Sequence, residues 1–95
     1  MGVKYRAIIK RPDEPYGHVT NISTSLKNLQ KTVEGPIEVV RLPGGRDVMV
    51  HSKAGGEHNF GPYCGTVVVL GEAGTEFGDA VMDFKTWKWL VDLWR

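Results

Sequence analysis

Thr66-Val67-Val68-Val69-Leu70 is the stretch whose reading decides the fold. Successive side chains of an extended segment point to opposite faces, so this run is apolar on both. Ile8-Ile9 and Val39-Val40 repeat the pattern in two further strand-like runs. A strand with one wet face alternates apolar and polar residues instead. The sheet built from these runs is therefore expected to be covered on two sides. The chain offers only two good helix candidates. Either the helices divide between the faces, or a second subunit covers one of them.

The remaining strands fall around that run. Residues 3–10, VKYRAIIK, read as the first strand, with Tyr5, Ala7 and Ile9 on one face and Lys4, Arg6, Ile8 and Lys10 on the other. Residues 11–22 read as a loop, broken by Pro12 and Pro15 and turned by Asp13, Gly17 and Asn21, with His18 to Ile22 as a short edge strand at its end. Ile37 to Leu42 and Asp47 to Lys53 read as a hairpin across the turn Pro43-Gly44-Gly45-Arg46. Residues 54–65, AGGEHNFGPYCG, form a glycine-rich loop. Thr66 to Leu70 is the most apolar strand and is expected at the centre. Gly71 to Gly74 is a turn, and Thr75 to Met82 reads as an irregular edge segment.

Ser23, Thr24 and Ser25 offer N-cap oxygens to a helix that carries Leu26, Leu29 and Val33 at helical spacing. Gly35 is expected to end it in the left-handed conformation, and Pro36 forbids continuation. A second helix starts near Asp83 and carries the stripe Phe84, Trp87, Leu90, Val91 and Trp94. Trp89 and Leu93, four apart, make a separate apolar patch roughly opposite that stripe.

The chain has 95 residues, enough for one α+β domain over 1–95 with a modest core. The expected architecture is an antiparallel or mixed sheet of four to five strands with two helices. Net charge is +1, which argues against duplex nucleic acid and acidic membranes. One cysteine, Cys64, excludes an internal disulfide framework and fits a reducing compartment. No apolar run approaches the ~18 residues of a membrane span, and Met1-Gly2-Val3-Lys4 shows no signal peptide. These features lead us to expect a soluble cytoplasmic protein.

Catalytic chemistry leaves no signature. His18, His51 and His58 have no metal-ligand spacing, and the lone cysteine pairs with none of them in sequence. No metal, cofactor or catalytic residue is expected. The basic residues cluster by position: Lys4, Arg6, Lys10 and Arg11 on or after the first strand, and Arg41 and Arg46 on the hairpin. The free N–H groups at Thr24 and Ser25 attract anions. Arg6, Lys10, Arg11, Arg41, Thr24 and Ser25 are therefore candidate anion ligands, with His58, Phe60 and Tyr63 of the glycine-rich loop to fold over a planar group. Trp89 and Leu93 are the candidate interface, and a homo-oligomer is expected.

The stretch from Tyr5 to Gly45, followed by Gly65 to Gly78, resembles a domain family of unknown function found in small proteins of bacteriophages, prophages and other bacterial mobile elements. The residues that carry the likeness are Leu26, Leu29-Gln30, Val33, Gly35 and Ile37-Glu38, then Gly65 to Val69. Between them this chain has a basic and aromatic loop, from His51 to Pro62, where the family is more acidic. In size and architecture such domains resemble the sponge proteins with which phages sequester nucleotide immune signals. The resemblance implies a phage or mobile-element anti-defence protein that binds and holds a small anionic nucleotide without catalysis. The alternative is a module that docks a host protein through Trp89 and Leu93. A nucleotide-hydrolysing enzyme is the weakest of the three.

Overall fold

Both faces of the central strand are covered, each by its own helix. The structure, a computed structural model, describes residues 3–94. In chain order the elements are β1 (Lys4–Lys10), β2 (His18–Ser23), α1 (Leu26–Val33), β3 (Ile37–Arg41), β4 (Asp47–Ser52), β5 (His58–Phe60), β6 (Tyr63–Cys64), β7 (Val67–Ala73), β8 (Glu76–Gly78) and α2 (Phe84–Leu93). The main sheet is antiparallel throughout and runs β2-β1-β7-β4-β3, with β8 paired to the end of β7. The fold is thus α+β, as the sequence implies.

Strand parity sorts the core into two layers. Ile8, Met49, Val67 and Val69 face the layer that holds Trp87, Leu90 and Val91 of α2. Ala7, Ile9, Val50, Val68 and Leu70 face the other, against Leu29 and Val33 of α1. Of the two ways to cover a doubly apolar sheet, division of the helices is the one realised. A buried Leu, Val or Trp at such a position is worth roughly 2–5 kcal/mol on truncation to Ala. The Val39-Val40 doublet sits on the edge strand β3, where Val39 stays exposed.

The loop 54–65 is more ordered than its composition suggests. It folds a small hairpin, β5–β6, that turns Phe60 into the α2-side core. Phe60 meets Trp87 edge-on at 5.3 Å and stacks on Trp94 at 5.6 Å between ring centroids.

Helix α1 ends one residue earlier than expected. Ser25 caps its start, its side chain accepting from the Asn28 N–H. At the other end Glu34, not Gly35, adopts the left-handed conformation (φ 62°), and its N–H donates to the Gln30 carbonyl. The Gly35 N–H donates to the same carbonyl at 3.0 Å, closing a Schellman-type cap. Gly35 is favoured for a different reason: a Cβ there would meet the buried Ser52 Oγ at 2.5 Å, so that hydroxyl, which accepts from the Ala54 N–H, would have to shift. The helix stops where the sequence implies, with the left-handed residue at Glu34 in place of Gly35.

The segment between β8 and α2 is pinned from two sides. Asp47, buried at the start of β4, accepts N–H bonds from Val81 and Met82, the latter at 2.7 Å. Arg6 Nη1 donates to the carbonyls of Ala80 and Met82, both at 2.9 Å, while its own N–H donates to Asp79 Oδ1. These bonds fix the start of α2, where Asp83 caps the helix by accepting from the Thr86 N–H.

Two stability outcomes follow from these contacts. Glu34→Gly relieves a left-handed L-residue and is expected to stabilise the protein by about 0.5–1 kcal/mol, seen as a rise of a few degrees in Tm. Asp47→Ala leaves two inward N–H donors without acceptors and is expected to cost about 2–3 kcal/mol, measured by urea unfolding.

Candidate functional site

Antiparallel strand parity decides which of the expected ligand residues can meet. Arg6, Ile8 and Lys10 share the α2 side of β1, while the N-terminus of α1 lies on the other side. Arg6 and Lys10 therefore do not converge with Thr24 and Ser25, contrary to expectation. Arg6 is spent on the carbonyls of Ala80 and Met82. Lys10 is only 2% exposed. Its ammonium bonds the Asn59 side-chain oxygen and lies 5.8 Å from the Phe60 ring centroid. Asn59 in turn donates to the carbonyls of Lys10 and Gly65, at 2.9 and 2.8 Å. This Lys10–Asn59 couple is what ties the β5–β6 hairpin to the end of β1.

The other expected residues are dispersed as well. Arg41 sits on the edge strand, bonded to the Gly45 carbonyl and paired with Glu72 at 2.6 Å. His58 is exposed and lies 3.1 Å from the Gly61 carbonyl. Phe60 is a core residue and cannot stack on a ligand. Tyr63 is half-buried, stacked on Trp94 at 5.8 Å and edge-on to His51 at 5.1 Å. Trp89 and Leu93 are exposed, at 63% and 61%, as the two-faced pattern of α2 implies.

What the fold does build is a groove of about 950 Å³ between α1, the end of β1 and the loop 54–66. Arg11 enters it just past β1, where the chain returns to the α1 side. The polar face of α1 contributes Asn28, Lys31, Thr32 and Glu34. Gly55, Gly56, Glu57 and Gly65 of the loop and Asp13 line it as well. Of the expected ligand residues only Arg11 lines this groove; Thr24 and Ser25 do not. Sequence reading missed the rest because α1's polar face looks like an ordinary solvated surface. The signal that was available is the spacing of Gly55, Gly56 and Gly65, all at positive φ, which lets the loop wall approach without side chains.

Arg11 is held in place by Glu14. Glu14 Oε1 accepts from the Arg11 N–H at 3.0 Å and lies 3.5 Å from its guanidinium, while Oε2 lies 3.1 Å from the His18 ring. Partial burial raises the Glu14 carboxyl, but the bonds from Arg11 and His18, with their charges, outweigh it and hold the group below its ordinary value.

A smaller cavity of about 310 Å³ is lined by Glu38, His51, Tyr63 and Cys64, among others. His51 Nε2 lies 3.2 Å from Glu38 Oε1, close enough for an ion pair when the ring is protonated but not aligned as a hydrogen bond, and among the described residues it has no hydrogen-bond partner. Among the described residues no three His, Cys, Asp or Glu side chains converge as a metal site. None of the described helices is long and apolar enough to cross a membrane.

Comparison with protein-family models, with curated proteins and with solved structures finds no match to this chain.

The lowered carboxyl of Glu14 has a consequence for pH. A depressed folded value means that the ionised group stabilises the fold above its ordinary range and that this contribution is lost as pH falls through it. The Tm difference between the parent and Glu14→Gln is expected to be largest near neutral pH and to close as the solution is acidified below about pH 4. Melting curves across an acid series measure it.

Proposed function

We propose that this protein is a non-catalytic binder that holds a small anionic nucleotide in the groove between α1 and the loop 54–66. One observation carries the reading: the groove mixes two cations, Arg11 and Lys31, with three carboxylates, Asp13, Glu34 and Glu57. A bare anion gains little from such a lining. A nucleotide uses both kinds of group, because its phosphate pairs with guanidinium and ammonium while ribose hydroxyls and base amino groups donate to carboxylates. The volume falls within the roughly 300–1,000 Å³ of small-molecule sites. Backbone at Gly55, Gly56 and Gly65 adds further polar groups without side chains to block approach. Stacking on Phe60 or Tyr63 is no part of the binding, since both are packed against α2.

The resemblance to phage and mobile-element domains supports a setting in which a bacterial host's nucleotide immune signal is sequestered and not consumed.

Titration calorimetry with a panel of mono-, di- and cyclic nucleotides tests this. Arg11→Ala and Lys31→Ala are each expected to weaken binding by about tenfold or more, since a charge-assisted bond is worth roughly 1.5–3 kcal/mol. Arg41→Ala, on the sheet's outer edge, is expected to bind like the parent. Heating the complex is expected to return the nucleotide intact. No binding at millimolar nucleotide, or equal binding by all three variants, would sink the reading.

A further inference from the structure

We propose that α2 pairs with the α2 of a second copy of this chain, antiparallel, about a two-fold axis that passes beside Trp89. The surface is apolar at its centre and self-complementary at its flanks. Trp89 and Leu93 are 63% and 61% exposed on the side of α2 turned away from the sheet, where Trp87, Leu90 and Val91 are buried. At ~100° per residue, Lys85 and Asp92 fall on one flank of Trp89, and Thr86 and Leu93 on the other.

A two-fold axis perpendicular to the paired helices reverses position along the helix and preserves the flank. At about 1.5 Å per residue, Lys85 lies about 6 Å before Trp89 and Asp92 about 4.5 Å after it. The operation therefore sets Lys85 beside Asp92 of the partner subunit, and the reciprocal pair follows by symmetry. On the other flank Leu93 of the partner subunit lands at Thr86. That threonine borders a depression of about 180 Å³, whose walls include Pro43, Val81 and Met82. Val81 is itself 57% exposed. The arrangement thus gives an apolar knob a hollow and gives each charge an opposite charge. A parallel pairing, about an axis along the helices, reverses the flank and would instead set Lys85 beside the partner's Thr86 and Asp92 beside the partner's Leu93, leaving both charges without an opposite charge across the contact.

The contact is one helix wide, below the roughly 1,200 Å² of stable interfaces. The dimer is accordingly weak and reversible, with Trp89 as its anchor. This inference is independent of the nucleotide groove, which lies on the α1 side of the sheet.

Sedimentation equilibrium over a concentration range up to about 1 mM tests it, a Kd in that range corresponding to a weak complex. The parent's mass is expected to rise toward twice that of the monomer. Trp89→Lys is expected to leave a monomer at every concentration. Lys85→Asp and Asp92→Lys are each expected to weaken association about threefold to tenfold, and the double exchange K85D/D92K to recover most of the loss, the signature of a pairing between the two positions. Because Asp92 also accepts from the Tyr16 hydroxyl, Tyr16→Phe is the control and is expected to associate like the parent. A monomeric parent, a dimer that survives Trp89→Lys, or a double exchange no better than the single ones overturns the proposal. A face that serves a bacterial host protein instead of a second copy gives the first of these results.

Discussion

The constraint on which the rest depends is that β7 is apolar on both faces. An antiparallel sheet often leaves one face in water, and its strands then alternate. Val67, Val68, Val69 and Leu70 remove that option, because two of the four would be stranded in solvent whichever side was covered. With two helices and a chain of 95 residues, each face receives one helix. Everything else in the fold arranges that delivery. The loop after β2 brings α1 to one side, and the run after β8 must cross to the other before α2 can start.

That crossing is where polar groups are used internally. Asp47 and Arg6 come from the α2 side of β4 and β1 and between them bond the backbone of Ala80, Val81 and Met82. A carboxylate so enclosed is stable only with good donors, and two N–H groups supply them. Gly71 belongs to the same device. A Cβ there would lie 2.0 Å from the Asp79 carbonyl oxygen, so the chain can double back on β7 only at glycine. Lys10 repeats the logic at the other end of β1, where Asn59 bonds both its ammonium and its backbone carbonyl and so seats the β5–β6 hairpin over Phe60.

The strand runs and their pairing into hairpins were readable because a period of two, doubled onto both faces, survives in the residues themselves. The polar assignments were not, for a physical reason that is the same at each site. Lys10 and Arg6 read as solvated edge charges since nothing local shows that Asn59, or the carbonyls of residues 80 and 82, will be folded onto them from 49 to 76 positions away. Phe60 reads as a loop aromatic because its burial depends on α2, at the far end of the chain. At the end of α1 the sequence placed the left-handed residue at glycine, by propensity. The fold places it at Glu34, and keeps glycine at 35 to clear Ser52. Tertiary contact overrides local preference wherever the two compete for one residue.

Parity along β1 also explains why Arg6 and Lys10 form no anion site with Thr24 and Ser25. Arg6 and Lys10 are even-numbered, with Ile8, and share its face; α1 lies over the face of Ala7 and Ile9. Only beyond the end of the strand, at Arg11, does a cation reach the α1 side. The sheet thus separates the cations of β1 from the one that follows it: Arg6 holds the approach to α2, Lys10 seats the β5–β6 hairpin, and Arg11 is left at the groove. A residue of the first kind is a poor ligand because recruiting it would orphan buried carbonyls, at a cost comparable to the bond gained. On the outer face of α2, Asp92 bonds the Tyr16 hydroxyl while its neighbours Trp89 and Leu93 stay exposed. Trp89 and Leu93 contribute nothing to either core layer, so their exposure is not a by-product of packing the sheet, and their role has to be sought outside this chain's own fold.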